Sequence, residues 1–536
     1  MTESDARLKP SRSGEPRSSG RAATLVGAGI LLSRITGLVR QRVFSHYFGL
    51  RNDAADAFTA AFRIPNFLQN LFGEGALSAS FIPVYAALIA RGERKEADRV
   101  AGAVVSLLTL IVSAIVLVGV VATPLLIDAV APGFHGSKRE LTIAIVRVLF
   151  PGAGLFAVSA WCLGVLNSHH KFLLSYASGV MWNVAMIATL IIFGAGESLP
   201  RLAVILAWGS VVGSALQFAV QVPVVWRVAP DLRFSLDTTS AHLRTIGRNF
   251  APALLGRGVN QISSYIDQLI ASLLGTGAVT GLQNASTLYT LPMSLFGMSV
   301  SAAELPAMSG IASGDPQAIE AVRKRLDVGL RRIAFFVVPS AMAFLALGDV
   351  IVGALLQTGR FNHSDTLYVW RILAGSSVGL LASTLGRLYS STYYAFRDTR
   401  TPLRYAAIRV VVTAVLGYAF AIPLPRWLGL APEWGAAGLT ASAGLAGWLE
   451  MFLLRATLNA RIGRTGLPAV YVAQLWGSAI TAAAAAWGLK LALPALHPIV
   501  MAFVVLGPYG VIFFAMTFAL RIPEASSAFS RFTRRR

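Results

Sequence analysis

Apolar runs of membrane length, parted by short polar segments, recur from residue 24 to residue 521 of this 536-residue chain. Fourteen read as spans: about 24–48, 54–90, 100–127, 139–166, 174–194, 202–227, 246–273, 282–310, 330–357, 367–396, 402–424, 434–458, 468–491 and 497–521. As helices, each is long enough for a hydrocarbon core of roughly 30 Å. The runs are continuous rather than alternating, and too long for barrel strands of about ten residues. Helices also satisfy their own backbone within lipid, so the pattern predicts an all-α polytopic membrane protein. Polar stretches near 228–245 and 311–329 divide it further. Residues 23–227 read as an N-lobe of spans 1–6, residues 246–458 as a C-lobe of spans 7–12, and 468–521 as a terminal pair, spans 13–14. Residues 1–22 read as a disordered basic tail, and 522–536 as a second basic tail. A weak internal repeat supports the two lobes. Ile64–Pro83 and Leu291–Pro306 each carry an early Pro, then Leu-Phe-Gly, then small residues and a second Pro.

Polar residues interrupt the apolar runs in a regular way. In span 2, Asp56, Ala60, Arg63, Phe67, Asn70 and Glu74 step by four, three, four, three and four, which is one helical stripe, with Asn66 beside it. Ser33, Gly37 and Arg40 form a similar stripe in span 1, flanked by Arg34. Span 7 offers Arg257, Asn260, Gln261, Ser264, Asp267 and Gln268. A charge at the bilayer centre costs at least about 2.5–3.5 kcal/mol, so such residues face a bundle interior or a wet cavity. Three stripes facing a common centre predict a polar cavity, and hence transport, with Arg147, Arg387 and Arg409 as further lining candidates. Other readings stand beside this one. Arg42 and Arg371 read as snorkelling residues. Asp56 either caps or pairs structurally or else meets substrate, and Glu74 has the same two readings. Pro65, Pro151 and Pro292 each remove an intrahelical bond and predict kinks.

Composition fits this picture: 55% of residues are hydrophobic and 13% charged. The net charge of +21 taken alone suggests nucleic acid, but its placement argues otherwise. Arg91, Arg94, Lys95, Arg99, Arg323, Lys324, Arg325, Arg397, Arg400 and Arg404 fall in alternate loops, as the positive-inside rule requires when both termini are cytoplasmic. Contact with anionic membrane lipids follows as a second use of the same charge. The single cysteine, Cys162, lies in span 4 and allows no intramolecular disulfide. No hydrolase, nucleotide-binding or metal-ligand spacing occurs, and His169-His170 reads as an interfacial pair.

Ser33 to Gly49 (SRITGLVRQRVFSHYFG) and Ala55 to Ala86, with its ADAF, FRIPN, FGEGA and FIP elements, resemble the MurJ/MviN family of lipid II flippases. APGF at Ala131, FP at Phe150, QIS at Gln261 and FRDTRTP at Phe396 extend the resemblance over the chain beyond residue 22. It implies a multidrug/oligosaccharidyl-lipid/polysaccharide exporter fold with two six-helix lobes and two added C-terminal helices that hold a lipid tail. It implies a transporter in the bacterial inner membrane that carries a polyprenyl-pyrophosphate-linked peptidoglycan precursor, with the cell-wall synthesis machinery as a further partner. Arg34 and Arg40 match the family's span 1 arginines, which meet pyrophosphate, and Asp56, Asn66 and Glu74 also match. The family's span 2 and span 8 arginines fall here on Gln69 and Thr287. Arg257, on the span 7 stripe, is the candidate replacement cation, and the acids are expected to pair with these arginines. Asp267 matches an acid that holds sodium in some members, but Thr413 and Gly417 stand where its partner ligands belong. No cofactor is implied, and the membrane potential is the expected driving force. The alternatives are a flippase or exporter for another polyprenyl-linked glycan, and a transport-dead cell-wall scaffold.

Overall fold

The computed structural model describes residues 17–71, 77–236, 239–311 and 315–526, leaving aside the side chains of 17–28, 30, 65, 68–71, 78–79, 176 and 251–263. Among the described residues the fold is helical throughout, with no β-strand. The first part of the chain forms α1 (Arg17–Phe48), α2 (Asp53–Leu71), α3 (Ser78–Ala90), α4 (Arg94–Val130), α5 (Gly136–Ser168), α6 (Phe172–Ala177), α7 (Gly179–Phe193) and α8 (Leu199–Val228). After a connector come α9 (Ala241–Ser272) and α10 (Ala278–Pro292), a π-helical segment (Met293–Met298) and α11 (Ser299–Ser309). The remainder is α12 (Pro316–Leu356), α13 (His363–Ser377), α14 (Leu380–Ala395), α15 (Arg400–Ala421), α16 (Pro423–Trp427), α17 (Trp434–Ile462), α18 (Ala469–Ala492) and α19 (Pro498–Ala519). Residues 17–22, read from sequence as tail, belong to α1.

Nine described helices are long and apolar enough to cross a membrane, and the α13–α14 pair, bent by 43°, makes a tenth. The helices that fail this test include α1, α2 and α9, which carry the polar stripes. The residues that suggest a cavity are the ones that lower hydropathy.

Broken spans leave backbone carbonyls without helical partners, and indoles cover two of the breaks. α12 kinks at Leu347, where Trp370 Nε1 donates to the carbonyls of Phe344 and Leu345, each at 3.2 Å. At the α13–α14 bend, Trp448 Nε1 donates to the Val378 carbonyl at 2.8 Å. The next residue, Gly379, lies so near Gly444 that a Cβ there would sit 2.4 Å from the Gly444 Cα.

Buried apolar residues form three clusters. Two lie in the first part of the chain, around Phe58, Leu149 and Leu206 and around Phe81, Val104 and Trp161. The third, around Phe335, Ile372, Leu388 and Leu475, runs from the end of α9 to the C-terminal helices and takes in Leu50, Ala60, Ala131 and Phe134 of the first part. α9 straddles this division. Leu243 and Ile246 near its start pack into the first part, and Ile270 and Ala271 near its end pack into the second. α18 and α19 are fastened to α12 by Tyr471 to the Arg331 carbonyl, Tyr509 to the Pro339 carbonyl and a Lys490–Asp349 ion pair.

Candidate functional site

Hydrogen bonds and ion pairs between α1–α8 and α10–α19 gather at one end of the bundle, where α1 and α12 finish and α2, α10 and α13 begin. Gln41 donates to Asn284 Oδ1 at 2.6 Å, and Arg42 to the Ala354 carbonyl at 2.6 Å. His46 meets Thr358 through its ring at 3.0 Å, and its carbonyl accepts from the Arg360 amide at 2.9 Å. Arg51 bridges to Glu433 at 3.1 Å and Asp365 at 3.7 Å.

At the centre of this seal is Asp56, fully enclosed. Its Oδ1 accepts from the amide and hydroxyl of Thr280, and its Oδ2 from the Gly277 amide and the Lys138 ammonium, all between 2.7 and 3.0 Å. Gly277 and Thr280 are the N-cap and third residue of α10, so a carboxylate from α2 caps a helix in the other part of the chain. Gly277 has φ of 96°, which favours glycine, and a Cβ there would press on Arg51 at 3.2 Å. The sequence reading gave Asp56 an arginine partner. Its cation is instead Lys138 of α5, held between Asp53, Asp56 and the Phe134 ring.

The α2 stripe faces the second part of the chain as far as it is described. The Ala60 carbonyl accepts from Gln268 at 3.5 Å. Arg63 donates to the Ser264 carbonyl at 2.7 Å and to Gln283 Oε1 at 3.2 Å, and its own carbonyl accepts from Tyr265 at 3.1 Å. Phe67 meets the Tyr265 ring edge-on. Asn66 is half-buried beside them. Glu74 lies outside the described residues, as do the side chains of Gln69, Asn70, Arg257, Asn260 and Gln261. Thr287 donates to the carbonyl of Gln283, one turn back on its own helix.

The span 1 stripe behaves differently, and corrects the common-centre expectation. Ser33 lies against Gly179, Gly37 against Asn183, and Thr36 accepts from Asn183 at 3.4 Å, so this face of α1 packs on α7. Small residues permit that close approach. Arg40 ends the stripe, with its Cζ 4.5 Å from the Trp182 ring centroid and 5.9 Å from that of Phe62. Its one described acceptor is the Met186 sulfur, 3.7 Å from NH1. Among the described residues the rest of its guanidinium has no hydrogen-bond partner. Arg34 is exposed.

A second set of charges lies between α9, α14, α15 and α17. Arg409 pairs with Glu450 at 3.0 Å, and Arg387 lies within electrostatic reach of both and of Tyr289. Asp267 interacts with Arg63 and Arg409, and its Oδ1 has no hydrogen-bond partner among the described residues. Near Asp267, a Cβ on Gly417 would meet Leu439 at 3.0 Å, Ile270 at 3.3 Å and Ser442 Oγ at 3.7 Å. An apolar hollow of about 620 Å³ is lined by Leu345, Trp370, Phe420, Leu428 and Trp434, with Arg371 in its wall.

Sequence periodicity found the α2 stripe but missed Lys138, Thr280, Gln283 and Trp182, whose roles depend on helix neighbours that no local spacing reveals.

A family model described as lipid II flippase MurJ matches residues 44–520. The lipid II flippase MurJ of Burkholderia cenocepacia is 31% identical over 448 residues, 82% of this chain and 84% of that protein. A probable lipid II flippase MurJ of Rhizobium tropici is 32% identical, over 81% of this chain and 80% of its own. A solved structure of lipid II flippase MurJ in an inward closed conformation is similar with a TM-score of 0.75 at 22% identity, covering 93% of this chain and 99% of that one. An inward-facing multidrug resistance MATE family transporter of the MOP superfamily is similar with a TM-score of 0.66 at 17% identity, covering 82% and 98%.

Proposed function

The chain belongs to the MurJ family of lipid II flippases, and from that premise we infer how its own residues carry a lipid-linked peptidoglycan precursor across the membrane. It is a multi-pass membrane transporter, not an enzyme. The observation that carries the mechanism is the one-ended seal: two parts of the bundle are bonded together at one end, and α9 joins them elsewhere. Such an arrangement suits alternating access, in which one end closes while the other admits cargo.

The helix ends and turns at the other end hold Arg94, Lys95, Arg323, Lys324, Arg397 and Arg400, which the positive-inside rule assigns to the cytoplasm. The sealed end then faces outward, the cavity opens inward, both termini are cytoplasmic, and the membrane is the bacterial inner membrane. A pyrophosphate entering from inside meets Arg40, whose planar fork suits phosphate oxygens. Arg34 and Arg257 add charge along the way, and the polyprenyl tail stays in lipid. The membrane potential, about 2.3 kcal/mol per charge per 100 mV, drives the cycle. Asp56 acts as the outer latch.

Two experiments test this. Expression in a strain depleted of its own lipid II flippase should restore growth, and Arg40→Ala should not. Growth with Arg40→Ala would favour a scaffold, and no growth with the intact chain would favour another glycan as cargo. For orientation, Pro432→Cys should react with an impermeant thiol reagent in spheroplasts and Lys324→Cys should not. The reverse labelling would invert the assignment. Cys162 is buried, so its background is low. Lys138, though it adjoins an outer loop, is too enclosed to serve as the reporter.

A further inference from the structure

Among the described residues no carboxylate meets Arg40 of α1, and something else must hold its charge. The Trp182 ring lies beneath it at 4.5 Å, and the Phe62 ring at 5.9 Å. Trp182 is itself fixed from several sides. Its Nε1 donates to Ser210 Oγ of α8 at 3.0 Å, and it stacks on Phe62 of α2 with centroids 5.4 Å apart. Phe156 of α5 meets it edge-on at 5.7 Å. Gly213 leaves it room, since a Cβ there would come within 2.9 Å of Trp182 Cδ1. Four helices therefore aim one indole face at one guanidinium.

We propose that Trp182 is the positioning residue of Arg40, a π-face standing where a counter-ion would otherwise stand. The reasoning is geometric. All five N–H donors of a guanidinium lie in its plane, so a partner that engages the face leaves the edge free for a bidentate contact with phosphate oxygens. A carboxylate in the same place would occupy that edge and cancel the charge. An aromatic face attracts the cation through its quadrupole, most strongly when water is excluded, and leaves the full charge for an anionic ligand. The proposal rests on the reading that Arg40 meets the pyrophosphate of the cargo. It adds that Trp182, which touches no cargo, sets how well Arg40 does so.

The test uses the full chain in lipid nanodiscs, with farnesyl pyrophosphate as the ligand and farnesol as the uncharged control. Trp182→Leu should weaken farnesyl pyrophosphate binding about tenfold, the scale of a desolvated cation–π contact, and leave farnesol binding unchanged. Trp182→Phe keeps a π-face and should lose less than about threefold. In an Arg40→Ala background, Trp182→Leu should add less than about twofold, because its target is gone. Equal losses with and without Arg40 would overturn the proposal, as would full binding by Trp182→Leu. Should Trp182→Leu fail to fold, Ser210→Ala removes only the bond that aims the ring. It should cost a few-fold, again only when Arg40 is present, and no change would overturn the proposal. If the intact chain does not prefer farnesyl pyrophosphate to farnesol, the underlying reading of Arg40 fails as well.

Discussion

At the sealed end, Asp56 is wholly enclosed and accepts four hydrogen bonds, whereas Arg40 on the neighbouring helix rests on aromatic rings and meets no described carboxylate. Both are charges in helices that must cross lipid, and burial penalises both. Asp56 has its charge used up by Lys138 and by the start of α10, which is how a fastener between two bodies is built. Arg40 keeps its charge, which is how a receptor for an anion is built. The contrast separates the parts that hold the conformation from the parts that wait for cargo.

The sharpest way to break this contrast is Asp56→Ala. It leaves the Lys138 ammonium with only Asp53 and the Phe134 ring and frees the Gly277 and Thr280 amides, and breaking a buried pair costs about 3–5 kcal/mol. A large fall in unfolding temperature is expected, together with exposure of the sealed end to thiol reagents; an unchanged seal would show that Asp56 fastens nothing. Arg40→Ala should do the opposite. Its unfolding temperature should stay near that of the intact chain while pyrophosphate binding falls ten- to a hundredfold, the scale of about 1.5–3 kcal/mol for a charge-assisted contact. If both variants merely unfold, the distinction between fastener and receptor collapses.

Arg257 sharpens the receptor side, since Gln69 and Thr287 stand where the family places cations. Arg257→Ala should abolish complementation in a folded, inserted protein, and adding Thr287→Arg should partly restore it. Full activity of the single variant would leave phosphate binding to the span 1 arginines alone. On the fastener side, Arg42→Ala removes one bond to the Ala354 carbonyl. It should loosen the seal by about 1.5–3 kcal/mol at most, read as faster thiol labelling at the outer end without loss of ligand binding.

The smallest effect lies outside the membrane. Burial alone would raise the Asp398 carboxyl, but the amide and hydroxyl of Thr401 and the Arg461 guanidinium hold it at about 2. A lowered value stabilises the fold above the ordinary carboxylate range, near pH 4, and that gain disappears as pH falls through about 2. Asp398→Asn should therefore melt slightly lower than the intact chain at neutral pH, with the gap closing only in strong acid.

Much of this could be read in advance, and the failures have physical causes. The stripe from Asp56 to Phe67 was legible because a helix turns every 3.6 residues, and its described members do touch the second part of the chain. The same rule misled for Ser33 and Gly37. Small residues line cavities, but they also let helices pack closely, and here they do the latter against α7. Hydropathy located the spans and Pro292 marked the break that follows it, but the breaks at Ser178 and Val378–Gly379 passed unseen, because an apolar run does not reveal where its hydrogen bonds stop. The partners of Asp56 and Arg40 come from helices far away in sequence, so no local pattern could supply them.

α9 has its first turns in one apolar core and its last in the other. Any swing of one body against the other must therefore be taken up along this single helix, whose middle reads Leu-Leu-Gly-Arg-Gly-Val-Asn. Two glycines flank Arg257 there, and glycine is the residue that least resists bending a helix. A small molecule wedged alongside it would act as a splint, stopping transport with the arginines still free and the outer latch still closed. Such an inhibitor would not compete with cargo, and raising the precursor concentration would not overcome it.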